Sequence, residues 1–329
     1  MMYKILILGG TNFIGRNLIE RLSKNKTYDL TIFNRGITNP GVFPAIKKII
    51  GDRNSSDVNL IHNTAWDYII DLSCYYPQSL INILKGLTYN LKKYILISTC
   101  SVYLDDKVIL GKESALIKNC NPNQFSDSTT TSYGNRKAEC ERIIAASKFN
   151  FTILRPDLVY GKYDPTDRLY YWLHQAKHYN QILVPNHGTS FFSLTYVDDL
   201  AHTIEKTMVK KEDREIYNIT TVTKTSIRQI LSYSSEVLGT NPQLVNANSQ
   251  FLNKNNINEW TDMPVWIDSE YSNFDNNKIL NSYHLDFTDF KMSIQKTINY
   301  YTSLGWPTPK YGINRALQIN LIDQLLKEN

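Results

Sequence analysis

The chain has 329 residues, of which 42% are hydrophobic and 20% charged, and this composition predicts a folded protein with a sizeable core. Its 36 basic and 31 acidic residues leave a formal charge of +5 without a concentrated basic tract, which argues against strong nucleic-acid binding. No segment is long and apolar enough to predict a membrane span, and the four cysteines lack Cys-x-x-Cys spacing. We therefore expect free thiols, no metal site and a cytoplasmic location.

The first feature in chain order is an apolar run at 5–8 that leads into a glycine-rich turn and an amphipathic helix. Such a helix N-terminus presents backbone N–H groups and a favourable dipole to an anion. Gly9 lets the chain leave the strand sharply, and Gly15 lets the helix pack closely on it. Asn12 stands where a third glycine is expected, and we expect it to tolerate left-handed backbone angles. The turn predicts a dinucleotide site, with plain strand–helix packing as the alternative.

Strands and helices alternate through the first half of the chain. This alternation predicts an α/β fold, a Rossmann-type doubly wound parallel sheet that binds its ligands at the carboxyl ends of the strands. After the first helix we predict strands at 30–33, 48–50, 68–71, 94–99 and 151–154, and helices at 79–91 and 132–147.

Beyond residue 161 the pattern loosens into aromatic-rich and asparagine-rich stretches. A strand at 215–220, a helix at 226–238 and an amphipathic C-terminal helix at 314–327 are predicted there. We expect a dinucleotide-binding domain over 1–161 plus about 190–222, a smaller, interleaved C-terminal substrate domain over about 162–189 plus 223–310, and a helical tail over 311–329.

Tyr133 and Lys137 are the second informative feature, because residues four apart lie on one face of a helix. An ammonium beside a phenol favours the phenolate, so such a tyrosine can exchange a proton with a substrate hydroxyl while a nicotinamide exchanges the hydride. The preceding strand ends in a row of hydroxyls, Ser98-Thr99-Cys100-Ser101, at the sheet edge where this helix begins. Chance placement is the alternative in a chain with 22 tyrosines.

The chain resembles an atypical extended short-chain dehydrogenase/reductase of the NAD-dependent epimerase/dehydratase family. Five motifs in the family's order carry the resemblance: 9–15, 98–103, 133–137, 155–161 and 196–201. A subgroup similar to isoflavone-reductase-like and chloroplast stem-loop-binding proteins adds three further matches, and in it Asn12 is a usual residue of the turn. These matches are Phe-Asn-Arg-Gly at 33–36, Gly-Asp-Arg at 51–53 and Asp-Pro-Thr-Asp-Arg at 164–168.

The resemblance implies a role for each candidate site residue. It makes Tyr133 the acid/base, Thr99 the residue that orients the substrate hydroxyl, and Lys137 the residue that tunes Tyr133 and holds the nicotinamide ribose. It assigns Asp52 to the adenine and Pro156 to the loop beside the nicotinamide, although Pro156 could simply end strand six. The implied cofactor contacts are Gly9, Thr11, Asn12, Phe13, Ile14, Gly15, Asn34, Arg35, Asp52, Leu72, Ser73, Ser98, Lys137 and Pro156.

The choice of cofactor depends on the end of strand two, which reads Asn34-Arg35. NAD sites usually have a carboxylate about 20 residues after the glycines, whereas counting 20 from Gly15 gives Arg35. A guanidinium suits a 2′-phosphate, so we predict NADP(H), with NAD(H) as the second choice. An Arg35 that points into solvent is the alternative interpretation.

The residues after Thr99 bear on the reaction type. The resemblance implies an Asp-Glu pair there in sugar-nucleotide 4,6-dehydratases, but this chain has Cys100 and Ser101, so we do not expect dehydratase chemistry. An NADP-dependent oxidoreductase or epimerase acting at a hydroxyl/ketone carbon remains, with a nucleotide sugar as one candidate substrate. An RNA-binding or regulatory protein on the same cofactor-binding fold is the alternative function. The resemblance also implies a homodimer formed through helices near 79–91 and 133–147.

Overall fold

The computed structural model describes residues 2–88, 90–105, 107–210 and 214–328. Its strands are β1 (Tyr3–Leu8), β2 (Tyr28–Asn34), β3 (Lys47–Ile50), β4 (Tyr68–Asp71), β5 (Lys93–Ile97), β6 (Phe151–Pro156), β7 (Leu158–Tyr160), β8 (Gln181–Pro185), β9 (Phe191–Tyr196), β10 (Arg214–Ile219), β11 (Val222–Thr225), β12 (Gln243–Ala247) and β13 (Tyr271–Ser272). Its helices are α1 (Phe13–Leu22), α2 (Asn59–His62), α3 (Pro77–Lys85), α4 (Tyr133–Ala146), α5 (Arg168–His178), α6 (Val197–Val209), α7 (Ile227–Leu238), α8 (Ser249–Lys254), α9 (Asn277–Tyr283), α10 (Phe290–Ser303) and α11 (Arg315–Glu328).

Seven of the described strands form one parallel sheet, in the order β3-β2-β1-β4-β5-β6-β10. The chain runs outward from β1 to β3 and then crosses to β4 on the other side of β1, so the strand order reverses between β1 and β4. Leu8 at the end of β1 pairs with both Phe33 of β2 and Asp71 of β4, so their carboxyl ends meet. This topology confirms the predicted Rossmann-type fold and sets a binding crevice at the reversal.

Helices cover both faces of the large sheet. α1 and α6 pack on one face, and α3 and α4 pack on the other. The strands are buried on both sides, as their nearly continuous apolar sequences require. Each fully buried leucine or isoleucine contributes about 1.5–3 kcal/mol, so these two layers hold the crevice in a rigid frame.

The C-terminal half has a hydrophobic core of its own, which includes Trp172 and Trp266. In this part β9 pairs with β7, β11 and β13, and β8 pairs with β12. The range 190–222, expected in the dinucleotide-binding domain, is divided: β10 belongs to the large sheet and α6 packs on that sheet, whereas β9 belongs to a smaller sheet. The two-domain division itself stays a prediction.

Most predicted elements appear within one to three residues of their expected bounds, but the helix predicted at 79–91 is α3 (Pro77–Lys85). It ends at Gly86, where a Cβ would lie 2.0 Å from Nδ1 of His62, so only a glycine fits this contact. Leu87 and Leu91 are still buried, but outside a helix. Periodicity alone could not detect this end, because the helical apolar spacing continues through Leu87 and Leu91. The predicted homodimer stays a prediction.

Candidate active site

A cavity of about 680 Å³ lies at the carboxyl ends of β1, β2 and β4, at the crevice that the strand order creates. This volume is in the range of small-molecule and cofactor sites. Three of the predicted cofactor residues, Ser98, Lys137 and Pro156, are outside its lining. The predicted residues that line it are Gly9, Thr11, Asn12, Phe13, Ile14, Gly15, Asn34, Arg35, Asp52, Leu72 and Ser73.

The glycine turn forms one wall of the cavity. A Cβ on Gly15 would lie 2.4 Å from Cα of Gly10, so only glycine allows α1 to start this close to the strand. Gly9 and Gly10 take φ angles of 106° and 102°, and Phe13 has a φ of 22°. Asn12 has φ −128°, so the expectation of left-handed angles there is wrong. The two glycines complete the reversal, and Asn12 takes the extended backbone of a residue that precedes a helix.

Asn34 ties the end of β2 to the glycine turn. Its Nδ2 donates to the carbonyl of Gly9 and to Oγ1 of Thr11, each at 3.3 Å, and its Oδ1 accepts the N–H of Gly36 at 2.9 Å. The amide therefore has several protein partners, so Asn34 shapes the cavity wall as well as lining it.

Arg35 is exposed at the wall of the same cavity. Within the described ranges, no hydrogen bond or ion pair engages its guanidinium. An arginine with unengaged donors at a ligand cavity is suited to bind a phosphate or carboxylate in a bidentate manner.

A buried ion pair, which the sequence analysis missed, supports the wall formed by residues 52–54. Arg53 donates to the two carboxylate oxygens of Asp71 at 2.6 and 2.9 Å, and the Tyr94 hydroxyl donates to the same carboxylate at 2.6 Å. Burial alone would raise the pKa of Asp71, but the charge and hydrogen bonds of Arg53 outweigh it and hold that pKa below its usual value. Arg53 also donates to Oγ of Ser73 at 3.0 Å, so one side chain fixes two cavity-lining segments.

Lys137 is buried on α4, and its Nζ donates to the carbonyls of Cys74 at 2.9 Å and Ile97 at 2.6 Å. These bonds hold the ammonium between the ends of β4 and β5. Burial alone would lower the pKa of Lys137, but the nearby Tyr133 phenol and the thiols of Cys74 and Cys140 raise it above its usual value. The lysine is therefore a permanent cation beside Tyr133.

Tyr133 and Thr99 lie on two segments that pack against each other. Tyr133 is the first residue of α4 and is half-buried, and in the described structure its hydroxyl has no hydrogen-bond partner. A Cβ on Gly134 would lie 2.2 Å from the carbonyl oxygen of Ser101, so the first turn of α4 lies directly on the segment after β5. In that segment Oγ1 of Thr99 accepts the N–H of Ser101 at 3.2 Å. The three predicted catalytic residues thus lie at the carboxyl edge of the sheet.

Ser98 and Pro156 are directed to other parts of the structure. The buried Ser98 hydroxyl donates to Glu141 at 2.5 Å, and the cofactor contact predicted for Ser98 stays a prediction. Glu141 in turn pairs with Arg155. Pro156 is the buried last residue of β6 and pairs with Ile219 of β10, as the simpler interpretation expects, and its cofactor contact stays a prediction.

Pro165 and Thr166, from the Asp-Pro-Thr-Asp-Arg motif, also line the cavity. Asp164 is buried behind them, and its Oδ1 accepts the N–H and the hydroxyl of Thr166 at 2.8 and 2.7 Å. Burial raises the pKa of Asp164 to about 6, although the two bonds from Thr166 oppose this change. This carboxyl is therefore largely ionised in its buried position at neutral pH.

An Asp164→Asn variant should gain about 1–3 kcal/mol of unfolding free energy at pH 7.5 and almost nothing near pH 4. The folded pKa of about 6 exceeds the unfolded value, so the wild type loses stability as pH rises from about 4 to 6 and does not regain it above. An amide carries no charge and can accept the same two bonds from Thr166. Urea unfolding at both pH values measures the effect. Asp286→Asn, at an exposed carboxylate, should change stability little at either pH, and an equal gain at both pH values for Asp164→Asn would contradict the assignment.

The remaining expectations concern thiols, metals and membranes. Cys74, Cys100, Cys120 and Cys140 are all free, as predicted. In the part of the chain that the structure describes, no three His, Cys, Asp or Glu side chains converge as a metal site would require. None of the helices in that part has both the length and the apolar character needed to cross a bilayer.

Comparison with known proteins identifies a family and several relatives of this chain. Residues 5–220 match the model of the NAD-dependent epimerase/dehydratase family. The chain is 29% identical over 234 residues to the chloroplast stem-loop binding protein of 41 kDa b from Arabidopsis thaliana, an alignment that covers 66% of this chain and 58% of that protein. It is 26% identical over 157 residues to the uncharacterized protein YbjS of Escherichia coli K12, covering 44% of this chain and 43% of YbjS. The chain thus spans about half the length of these curated relatives.

Solved structures resemble the whole fold at low sequence identity. The UDP-glucuronic acid 4-epimerase of Bacillus cereus in complex with NAD superposes with a TM-score of 0.70 at 19% identity, covering 92% of this chain and 100% of that one. The UDP-glucose 4-epimerase of Thermotoga maritima with UDP-glucose gives 0.71 at 17% identity, covering 92% and 99%. At these identities the likeness establishes the shared fold.

Proposed function

Because the chain belongs to the NAD-dependent epimerase/dehydratase family, we propose that it is an NADP-dependent oxidoreductase or epimerase acting at a hydroxyl/ketone carbon. The observation that carries this proposal is the charged Lys137 held close to Tyr133, whose ring contacts Tyr75 of the cavity lining. A bound nicotinamide would supply the hydride chemistry. UDP-sugar epimerases among the structural relatives make a nucleotide sugar the first substrate class to test.

In this proposal Tyr133 exchanges a proton with the substrate hydroxyl. Lys137 stabilises the phenolate that forms when Tyr133 gives up its proton, because its charge is fixed nearby by two backbone carbonyls. Two of its three N–H groups are engaged by these carbonyls, which leaves the third for the cofactor ribose or the phenol. The hydroxyl of Thr99, at the facing segment, holds the substrate oxygen.

Cofactor binding comes before substrate identity and can be tested directly. The purified protein is titrated with NADPH and with NADH, and nicotinamide fluorescence gives each Kd. Turnover is then sought by nicotinamide absorbance with a panel of UDP-sugars, dTDP-sugars and simple ketones, and product analysis distinguishes epimerisation from net reduction. Failure to bind either nucleotide would overturn the proposed function, and tighter binding of NADH would overturn the NADP assignment.

Replacing Arg35 with alanine should raise the Kd for NADPH roughly 10- to 100-fold and change the Kd for NADH less than about twofold. The reason is that only NADPH carries the 2′-phosphate that the free guanidinium would bind. Lys177→Ala removes one positive charge from an exposed site on α5 outside the cavity lining and serves as the control. If Arg35→Ala weakened the binding of NADPH and NADH equally, Arg35 would not be the residue that binds the 2′-phosphate.

RNA binding is the second candidate function, favoured by the likeness to the Arabidopsis stem-loop binding protein. The mild charge of +5 argues against strong electrostatic affinity for RNA. Retention of a stem-loop RNA that depends on salt and persists when the Tyr133 hydroxyl is removed would support this alternative.

A further inference from the structure

Tyr75, which no prediction from the sequence included, lies between the cavity and the candidate catalytic residues. It follows β4, lines the cavity and is 46% exposed. Its ring centroid is 6.3 Å from that of Tyr133, and the Nζ of Lys137 is 5.9 Å from the Tyr75 ring centroid. Among the described cavity-lining residues, it is the one with ring contacts to both Tyr133 and Lys137.

The position of Tyr75 is fixed by its backbone. The carbonyl of Cys74 accepts from Lys137 at 2.9 Å, and the carbonyl of Tyr75 accepts from Nε of Arg136 at 3.1 Å. Two consecutive carbonyls are thus held by two consecutive cationic side chains of α4, the helix that begins with Tyr133. Arg136 also donates to the carbonyl of Thr129 at 3.2 Å, just before that helix. The backbone of Tyr75 is thus fixed, while its ring is partly exposed to solvent. A ring in this position is suited to bind a ligand rather than to fill a core.

A dinucleotide at this site has to reach from the glycine turn to Tyr133. Both the glycine turn and Tyr75 line the cavity. The Tyr75 ring in turn contacts the ring of Tyr133, which lies outside the lining. The nicotinamide half of a dinucleotide bound in this way would lie near the exposed Tyr75 ring. Flat heteroaromatic groups gain affinity by stacking on such a ring, and the phenol hydroxyl is not needed for that gain.

We propose that Tyr75 binds the nicotinamide half of the cofactor and directs it toward Tyr133. This inference rests on the proposed cofactor-dependent function. It distinguishes Tyr75 from the residues of the glycine turn and from Arg35, which serve the diphosphate and adenosine end.

The test compares a whole cofactor with a fragment that lacks nicotinamide. For Tyr75→Ala we expect the Kd of NADPH to rise about tenfold, while the Kd of adenosine 2′,5′-bisphosphate stays within about twofold of wild type. Tyr75→Phe keeps the ring and should bind NADPH within about threefold of wild type. Tyr311→Ala, at a tyrosine that is 43% exposed and outside the cavity lining, should change neither Kd.

Three outcomes would overturn the inference. Equal weakening of NADPH and the fragment by Tyr75→Ala would assign Tyr75 a purely structural role. Unchanged NADPH binding in Tyr75→Ala, with normal binding in the wild type, would overturn this inference and leave the proposed function intact. A wild-type protein that binds neither NADPH nor NADH would overturn both.

Discussion

A Glu141→Ala variant should lose about 3–5 kcal/mol of unfolding free energy. Glu141 and Arg155 are each 2% exposed, and Glu141 accepts from Nη2 of Arg155 at 2.6 Å and from the Ser98 hydroxyl at 2.5 Å. The truncation leaves a guanidinium charge in the core without its counterion and a serine hydroxyl without its acceptor. Urea unfolding followed by far-UV circular dichroism measures the loss.

The same helix offers a matched control for this prediction. Glu139 is two residues away on α4 and forms a partly exposed ion pair with Arg142 at 2.7 Å, so Glu139→Ala should cost less than about 1 kcal/mol. Replacing both members of the buried pair, as Glu141→Leu with Arg155→Met, should cost less than the sum of the two single changes. If Glu141→Ala cost no more than Glu139→Ala, the buried pair would not support the fold as described.

A Tyr133→Phe variant should convert the substrate identified from the panel about 10²- to 10⁴-fold more slowly than wild type. The change removes one hydroxyl, so the proton transfer loses its acid/base while the ring that packs near Tyr75 remains. The Kd for NADPH should therefore stay within about threefold of wild type. Initial rates and fluorescence titration on the same preparations separate the two effects.

Tyr311→Phe makes the same chemical change at an exposed site and should leave both the rate and the Kd unaltered. A Tyr133→Phe protein that retained more than about a tenth of wild-type turnover would exclude Tyr133 as the acid/base. Loss of NADPH binding together with turnover would instead assign the hydroxyl to cofactor binding.

Local structure is predicted correctly where neighbouring residues encode it, whereas the roles assigned to those residues stay predictions. The glycine turn lies within 9–15, and the Tyr133–Lys137 spacing lies within one helical turn, so each could be recognised without knowing the fold. The error at Asn12 arose in the same stretch. Its cause was the treatment of Asn12 as the turn residue, whereas the consecutive glycines carry the reversal.

The features that were missed depend on residues far apart in the sequence. The Arg53–Asp71 pair forms only because β3 and β4 lie in one sheet on either side of β1 and β2, and the aromatic pair of Tyr75 and Tyr133 joins the ends of β4 and the start of α4. In the sequence, Ser98 is one of several hydroxyl residues at the end of β5. Its contact with Glu141 forms only because α4 packs on β5. Local pattern cannot supply such pairings, since they follow from strand order and helix packing.

The strand order also has a consequence for how the protein is made. β10 pairs with β6, although the whole segment from 157 to 213 separates them in the sequence. During synthesis, at roughly 5–20 residues per second, the backbone of β6 stays unpaired on that side for several seconds, on the order of the time needed to make about sixty residues. An open strand of this kind templates association with other chains. Nascent chains stalled between these two strands should therefore be the species most in need of a chaperone.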